Sequence, residues 1–119
     1  MDEEKFRVEF LEDAVKFLDG LEEKSREKVL YNIWRAKRTN DKELFKKLQN
    51  EIWEFRTKYS KGQIRLLAFW DKTDKKDTVV ISTNAFIKKT SKVPQKEIDK
   101  AERLRIQYFK EKNQDNENI

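Results

Sequence analysis

The chain has 119 residues with a net charge of +5, and 43% of its residues are charged. Its three Trp, eight Phe and three Tyr, against two Gly and one Pro, favour a small aromatic core over disorder, because disordered chains are poor in aromatic residues. The absence of Cys and His excludes disulfides, thiol or histidine catalysis and zinc bound by either residue, and two isolated glycines exclude a Rossmann or P-loop fingerprint.

The first third of the chain predicts one strand followed by two helices. Residues 6–10 alternate apolar and charged side chains, as a half-buried strand does. Helical spacing of apolar residues then predicts a short helix with its N-cap at Asp13 and its end near Gly20. A second helix is predicted over residues 22–38. Its core-facing stripe would comprise Val29, Leu30, Ile33 and Trp34.

The middle of the chain predicts a β-hairpin, preceded by residues 44–48 as either a helical turn or an extended segment. Strand-like runs over residues 52–59 and 63–70 flank the hairpin turn. With a two-residue turn at Lys61-Gly62, Lys58 would lie opposite Arg65 and Tyr59 opposite Ile64. Since side chains alternate along a strand, the two apolar sets, with Trp53 and Trp70 in the core, then share one face. The opposite, solvent-facing side would carry Glu54, Arg56, Lys58 and Arg65.

The last part predicts a strand and a helix. Residues 78–86 contain a continuous apolar run typical of a strand buried on both faces, and Pro94 suits the first turn of a final helix. The order is then β-α-α-β-β-β-α, a single compact α+β domain with a largely antiparallel sheet. We assign residues 1–110 to this domain and residues 111–119 to a frayed polar tail.

The basic residues are concentrated in the middle of the chain, where residues 52–92 carry 10 basic and 4 acidic side chains. A local basic excess attracts polyanions, most often nucleic acid, and a solvated Lys-rich surface is the alternative. No apolar run approaches the ~20 residues of a membrane span, and Met1-Asp2-Glu3-Glu4 lacks the apolar core of a secretory signal. A soluble cytoplasmic protein without a membrane partner is therefore predicted.

The charged hairpin face has the chemistry of a phosphate site. Arg offers a planar fork for phosphate and Lys a mobile point charge, and such groups also stabilise a phosphorane-like transition state. Cleavage of RNA further needs a base for the 2′-hydroxyl and an acid for the leaving 5′-oxygen. A Lys crowded by other cations has a lowered pKa and suits either role. Glu54 is the other candidate base, although a salt bridge to Arg56 or Lys58 is the preferred interpretation. The sequence offers no convincing metal-ligand cluster and implies no cofactor.

Several motifs resemble the RelE/ParE toxin superfamily, in particular its HigB-like, phage-derived branch. The resemblance covers roughly residues 5–109. It rests on Trp53-Glu54-Phe55-Arg56, Gln63-Ile64-Arg65-Leu66-Leu67, Phe86-Ile87-Lys88-Lys89-Thr90, Pro94, Glu97-Ile98 and Ala101-Glu102-Arg103. It implies the toxin of a type II toxin–antitoxin module, an mRNA endoribonuclease that usually acts on the ribosome and is held inactive by a small antitoxin. In this branch the antitoxin is often a helix-turn-helix protein, and the complex commonly represses its own operon.

One position departs from the family pattern. Many relatives carry His-Gly before the Phe of the Phe-Ile-Lys-Lys-Thr run, where this chain has Asn84-Ala85. If that His transfers a proton in the relatives, its replacement leaves the catalytic role open here. ParE-like members inhibit DNA gyrase by binding, so gyrase inhibition and a non-catalytic nucleic-acid-binding module are the alternatives.

The combined interpretation is a cytoplasmic toxin that cleaves ribosome-bound mRNA. Arg56 and Arg65 would hold the scissile phosphate and Lys58 would transfer a proton. RNA binding is assigned to Lys61, Lys88 and Lys89. The expected partners are the cognate antitoxin, the ribosome and mRNA, with operator DNA contacted only through the antitoxin.

Overall fold

The computed structural model describes residues 3–117, and residues 1–2 and 118–119 lie outside the described residues. Within this range one five-stranded sheet carries helices on both faces, which confirms the predicted α+β class. The elements in chain order are β1 (Arg7–Phe10), α1 (Glu12–Asp19), α2 (Glu23–Ala36), β2 (Phe45–Gln49), β3 (Ile52–Tyr59), β4 (Gly62–Asp71), β5 (Val79–Lys88) and α3 (Gln95–Glu117).

The sheet has the strand order β1-β5-β4-β3-β2. β2, β3, β4 and β5 pair antiparallel, and β1 adds to β5 in parallel, so the largely antiparallel prediction is confirmed. The ambiguous segment before the hairpin is extended and forms the edge strand β2. Phe45 on β2 lies opposite Phe55 on β3, with the two rings stacked at a centroid distance of 4.3 Å. Cross-strand aromatic pairs of this kind favour sheet pairing over a helical turn.

The two faces of the sheet have separate cores. On the α1/α2 face, Phe55, Leu66 and Ala68 pack with apolar residues of the first two helices, among them Leu18 and Ile33. On the α3 face, the alternate strand positions pack against the last helix. This second core includes Leu67, Phe69, Ile98 and Ala101. The predicted clustering of the apolar hairpin residues on one face is therefore correct, because their alternation matches the pleat.

The hairpin turn differs from the prediction. Tyr59 lies opposite Gly62 and Arg56 opposite Arg65, so the turn residues are Ser60-Lys61 and the pairing is shifted by two residues. Gly62 has φ of 141°, a backbone conformation that favours glycine, and it adopts this conformation as the first residue of β4. Side chains alternate between the two faces with a period of two residues. A shift of two residues therefore leaves each side chain on its predicted face.

Helix positions and burial also differ in part. α1 begins at Glu12 after an N-cap at Leu11, not at Asp13. α2 buries Val29, Ile33 and Ala36, at i, i+4 and i+7. Trp34 is 47% exposed and Leu30 43% exposed, so their predicted place in the core is wrong. Trp34 packs against surface neighbours instead. Its ring stacks on the Tyr31 ring with centroids 5.9 Å apart, and the Arg38 guanidinium lies over it, 4.3 Å from the ring centroid.

α3 continues to Glu117, through most of the segment predicted to be a frayed tail. Residues 118–119 of that segment lie outside the described residues. Among the helices of residues 3–117, none is both long and apolar enough to span a membrane.

Candidate active site

Glu54, Arg56 and Arg65 form a charged cluster on the α3 face of the hairpin. The register places Arg56 directly opposite Arg65, with Glu54 two positions earlier on β3. Arg65 is only 1% exposed and Glu54 only 2%, so the prediction that Arg65 faces solvent is wrong. The physical reason is its place on the central strand β4, where Phe86 of β5 lies opposite it on the other side. The side chain is thus covered, although it lies on one face of the sheet.

The buried carboxylate lies between the two guanidinium groups. Oε1 of Glu54 is 3.6 Å from Nε of Arg56 and 3.6 Å from Nε of Arg65. Arg65 also donates a hydrogen bond to the side-chain oxygen of Gln63. Glu54 therefore forms the expected salt bridge with Arg56, but its second partner is Arg65 and not Lys58.

Hydrogen bonding in this cluster is incomplete. Among the described residues, four buried side-chain atoms have no hydrogen-bond partner. Three of them are Glu54 Oε2, Arg56 Nε and Arg65 Nε. Unsatisfied buried polar atoms cost free energy and are rare in folded proteins, and they often mark functional sites. The hydrogen-bonding capacity of these three atoms is therefore unused within the described residues.

A cavity of about 260 Å³ lies beside this cluster, where the end of β3 extends past the start of β2; we call it the cationic cavity. All three residues predicted to be catalytic line it. The full lining is Lys28, Asn32, Arg35, Glu43, Leu44, Arg56, Lys58 and Arg65. Five of these side chains are basic and one is acidic, so the cavity attracts anions.

Three residues of α2 that line the cavity were not predicted to be functional. Lys28, Asn32 and Arg35 follow at i, i+4 and i+7 and so share one side of the helix. Asn32 anchors this side, because its Nδ2 donates to Oγ1 of Thr57 on β3 at 3.2 Å. The spacing of these three residues could have indicated a shared side, because each directly precedes a residue of the buried stripe Val29, Ile33 and Ala36.

Lys88 is the lysine of this region whose pKa is lowered. It lies opposite Gln63 at the end of β5. Burial lowers the pKa of its ammonium group, and the charges of Arg65, Arg56 and Lys46 lower it further, while Glu54 opposes them. The crowding predicted for a proton-transfer lysine is therefore found at Lys88. Burial likewise lowers the pKa of Arg65, against the opposing effect of Glu54.

None of the three lysines predicted to bind RNA, Lys61, Lys88 and Lys89, lines the cavity. Lys61, in the turn, lies 3.1 Å from Oε1 of Glu22 and forms a salt bridge with it. Lys89 is exposed and follows the last residue of β5.

Asn84, at the family His position, ties β5 to the start of α3. It is 1% exposed, and its Nδ2 donates to the backbone oxygen and to Oε1 of Glu97 at 3.2 and 3.1 Å. Its own Oδ1 accepts a hydrogen bond from Thr83 Oγ1 at 2.6 Å. All the polar atoms of this amide are therefore engaged within the fold. Residues 3–117 contain no group of three acidic side chains placed to hold a metal ion.

A mixed five-stranded sheet with a buried Arg–Glu cluster beside a basic cavity defines a small α+β protein with a candidate anion site. The family model described as phage-derived protein Gp49-like (DUF891) matches residues 16–105, which is 90 of the 119 residues. The chain therefore belongs to this family, which is associated with toxin–antitoxin modules. This confirms the phage-derived part of the resemblance, and the family suggests a cognate antitoxin as partner. A search of curated proteins finds no match.

Proposed function

We propose that this protein is the toxin of a type II toxin–antitoxin module and inhibits translation by cleaving ribosome-bound mRNA. The observation that carries the proposal is the buried Glu54 carboxylate, which has one unpaired oxygen and lies between two arginines beside the cationic cavity. Electrostatic stabilisation of developing charge is usually the largest single contribution to catalysis, and this cluster is held in place by the sheet.

The reaction we propose is transfer of the phosphoryl group to the neighbouring 2′-oxygen. The 2′-oxygen forms a bond to phosphorus, and the bond from phosphorus to the 5′-oxygen breaks. Glu54 accepts the proton of the 2′-hydroxyl, and the Lys88 ammonium donates a proton to the leaving 5′-oxygen. The products are a 2′,3′-cyclic phosphate and a free 5′-hydroxyl.

The basic residues divide between phosphate binding and positioning. Arg56, whose side chain is 22% exposed, stabilises the charge of the pentacoordinate phosphorus. Arg65 positions the Glu54 carboxylate through their ion pair. Lys58 and the α2 lysine and arginine of the cavity bind flanking phosphates, and Lys89 extends this surface beyond β5. Lys88 thus takes the proton-transfer role that the sequence had assigned to Lys58.

The proposed module has the usual arrangement of such systems. A small helix-turn-helix antitoxin, encoded by a neighbouring gene, binds this protein in the cytoplasm. The toxin then contacts operator DNA only through the antitoxin. Finding a short helix-turn-helix reading frame next to this gene would support the arrangement, and its absence would count against it.

Induction without antitoxin tests the proposal directly. Protein synthesis should stop before DNA replication does, and primer extension should map new 5′ ends within mRNA. Arg56→Ala should reduce cleavage about 100–1000-fold, as loss of one preorganised charge donor does. Arg103→Ala, on an exposed site of α3, is the matched control and should cleave like the wild type. An early DNA-damage response with intact mRNA contradicts the proposal and favours gyrase inhibition.

A further inference from the structure

A second and larger cavity lies on the α1/α2 face of the sheet, opposite the face that carries the Arg–Glu cluster. Its volume is about 650 Å³, and we call it the aromatic pocket. Its lining residues are Lys5, Phe6, Thr39, Asn40, Asp41, Lys42, Phe45, Lys46, Lys47, Trp53 and Trp70. Trp53 and Trp70 occupy strand positions that alternate with those of Glu54 and Phe69, so the sheet itself separates this pocket from the Arg–Glu cluster.

Four aromatic rings form the wall of the aromatic pocket. The ring planes of Trp53 and Trp70 meet at 80° with centroids 5.6 Å apart, and Phe45 stacks on Trp53 at 4.9 Å. Phe6 closes the corner against Trp70 at 5.0 Å. A right-angled corner of rings accommodates bulky apolar side chains. The volume exceeds that of any single side chain and suits a short segment.

Lysines surround this apolar wall. Lys5, Lys42, Lys46 and Lys47 all line the pocket, and none forms an ion pair with another described residue. Asp41 is the single acidic lining residue, and its Oδ1 already accepts the backbone N–H of Glu43 at 2.8 Å. The rim is therefore positive, and charge complementarity calls for an acidic partner.

We infer that the aromatic pocket is a docking site for an acidic protein segment that carries bulky apolar side chains. The apolar anchors bury themselves against the Trp corner while carboxylates face the lysine rim, the usual division between the core and the rim of an interface. Naming the antitoxin as the source of this segment rests on the proposed function. The aromatic pocket shares no lining residue with the cationic cavity, so such a segment can bind the pocket without filling that cavity.

The test is selection of peptides from a random twelve-residue library on the full-length chain. The selected peptides should combine Asp or Glu with Phe, Trp, Leu or Ile, and alanine in place of those apolar residues should abolish binding. The pocket variant is Lys5→Glu/Lys42→Glu/Lys47→Glu. It should bind them about tenfold more weakly or worse, the effect of losing three modest charge pairs. Lys24→Glu/Lys75→Glu/Lys110→Glu, with the same net charge on other exposed surface, is the control and should bind normally.

Three outcomes overturn the inference. These are selection of basic peptides, selection of none, and equal binding by the pocket and control variants. Displacement of the selected peptides by a twelve-nucleotide single-stranded RNA would assign the pocket to nucleic acid instead. Growth arrest on induction is measured separately, and the pocket variant should remain as toxic as the wild type. Failure of the docking test therefore does not contradict the proposed nuclease activity, which the growth-arrest and mRNA-cleavage assays test separately.

Discussion

Arg65 and Glu54 form an ion pair that is almost fully inside the protein, 1% and 2% exposed. The attraction between two buried charges offsets the cost of removing them from water only when their geometry is good. Here Glu54 Oε1 and Arg65 Nε are 3.6 Å apart and form no hydrogen bond. The pair is therefore poor at stabilising the fold relative to apolar residues of the same size. Removing only one partner is a different matter, because the other charge is then left buried.

Arg65→Ala should lower the free energy of unfolding by about 3–5 kcal/mol, the usual cost of leaving a buried charge without its partner. The double change Glu54→Leu/Arg65→Met should recover most of this loss, because neither charge of the buried pair then remains. Arg56, whose side chain is 22% exposed, keeps Glu43 at 3.9 Å. Urea denaturation of the purified chains measures both. A double variant as unstable as Arg65→Ala would show that the destabilisation comes from lost packing.

Lys88 provides a second test with single residues. Lys88→Arg keeps the positive charge but replaces a group of lowered pKa with a guanidinium that does not release its proton. If Lys88 transfers a proton, cleavage should fall about 100–10,000-fold, the typical contribution of acid–base catalysis. Lys89→Arg is the control, since Lys89 is exposed beyond β5. Full cleavage by Lys88→Arg would restrict Lys88 to an electrostatic role.

The sequence predicted which of these side chains share a face but not which are covered. Strand alternation correctly grouped Glu54, Arg56, Lys58 and Arg65. Whether that face is open depends on the neighbouring strand, and the sequence pattern of β4 contains no information about Phe86 lying across from Arg65. The same limit applies to Trp34, whose apolar character suggested the core although it lies outside the buried stripe of α2.

At the scale of elements, α3 is fastened to the sheet by a polar network at the end of β4. Asp71, 3% exposed, accepts hydrogen bonds from Tyr108 at 2.5 Å and from Lys112 at 2.6 Å. Burial raises the pKa of the Asp71 carboxyl, but these bonds and those from Thr73 outweigh burial and hold the pKa well below its usual range. Burial, together with Asp71, raises the pKa of Tyr108.

The network predicts a loss of stability in acid. Because the folded pKa of Asp71 lies below the unfolded value of about 3.9, its contribution is present above about pH 4 and disappears as the pH falls through the folded pKa. Asp71→Asn should cost about 1.5–3 kcal/mol at pH 7, as loss of a charged hydrogen bond does. That difference from the wild type should shrink steadily below pH 4. Thermal unfolding between pH 2 and pH 8 measures it.

Asp74→Asn serves as the control for this network. Asp74 is exposed in the loop after β4, and its side-chain oxygen accepts only the backbone N–H of Lys76. The variant should unfold like the wild type across the same pH range. A constant difference between Asp71→Asn and the wild type at all pH values would contradict the linkage.

Element order was predictable from periodicity, whereas boundaries and the edge strand were not. Residues 44–48 are too few to separate a period of 2 from one of 3.6, and only the Phe45–Phe55 contact decides for a strand. The turn was misplaced because Gly62 was taken as a turn residue, although glycine also suits a strand start at positive φ. The aromatic pocket was outside the reach of sequence reasoning, since it joins residues 5–6, the loop before β2 and three separate strands.

At the scale of the whole molecule, basic side chains from α2 and from the β3–β4 hairpin converge on one cavity. Binding to single-stranded RNA should therefore weaken steeply with salt, with log K changing by about −0.7 per phosphate neutralised for each unit of log salt. Lys58→Ala should make that slope shallower by about 0.7. Lys24→Ala, exposed at the start of α2 and outside the cavity, is the control. Fluorescence titrations from 50 to 300 mM salt measure both, and an unchanged slope for Lys58→Ala would place the RNA elsewhere.

The parallel pairing of β1 with β5 joins residues 7–10 to residues 79–82, the two ends of the sheet in sequence. During vectorial synthesis the first strand emerges long before its only neighbour exists, and loop closure over this distance is slow. The sheet, and with it the surroundings of the Arg–Glu cluster on β3 and β4, is completed only after residue 88 has left the ribosome. A nascent or prematurely terminated chain therefore lacks the complete sheet that buries this cluster.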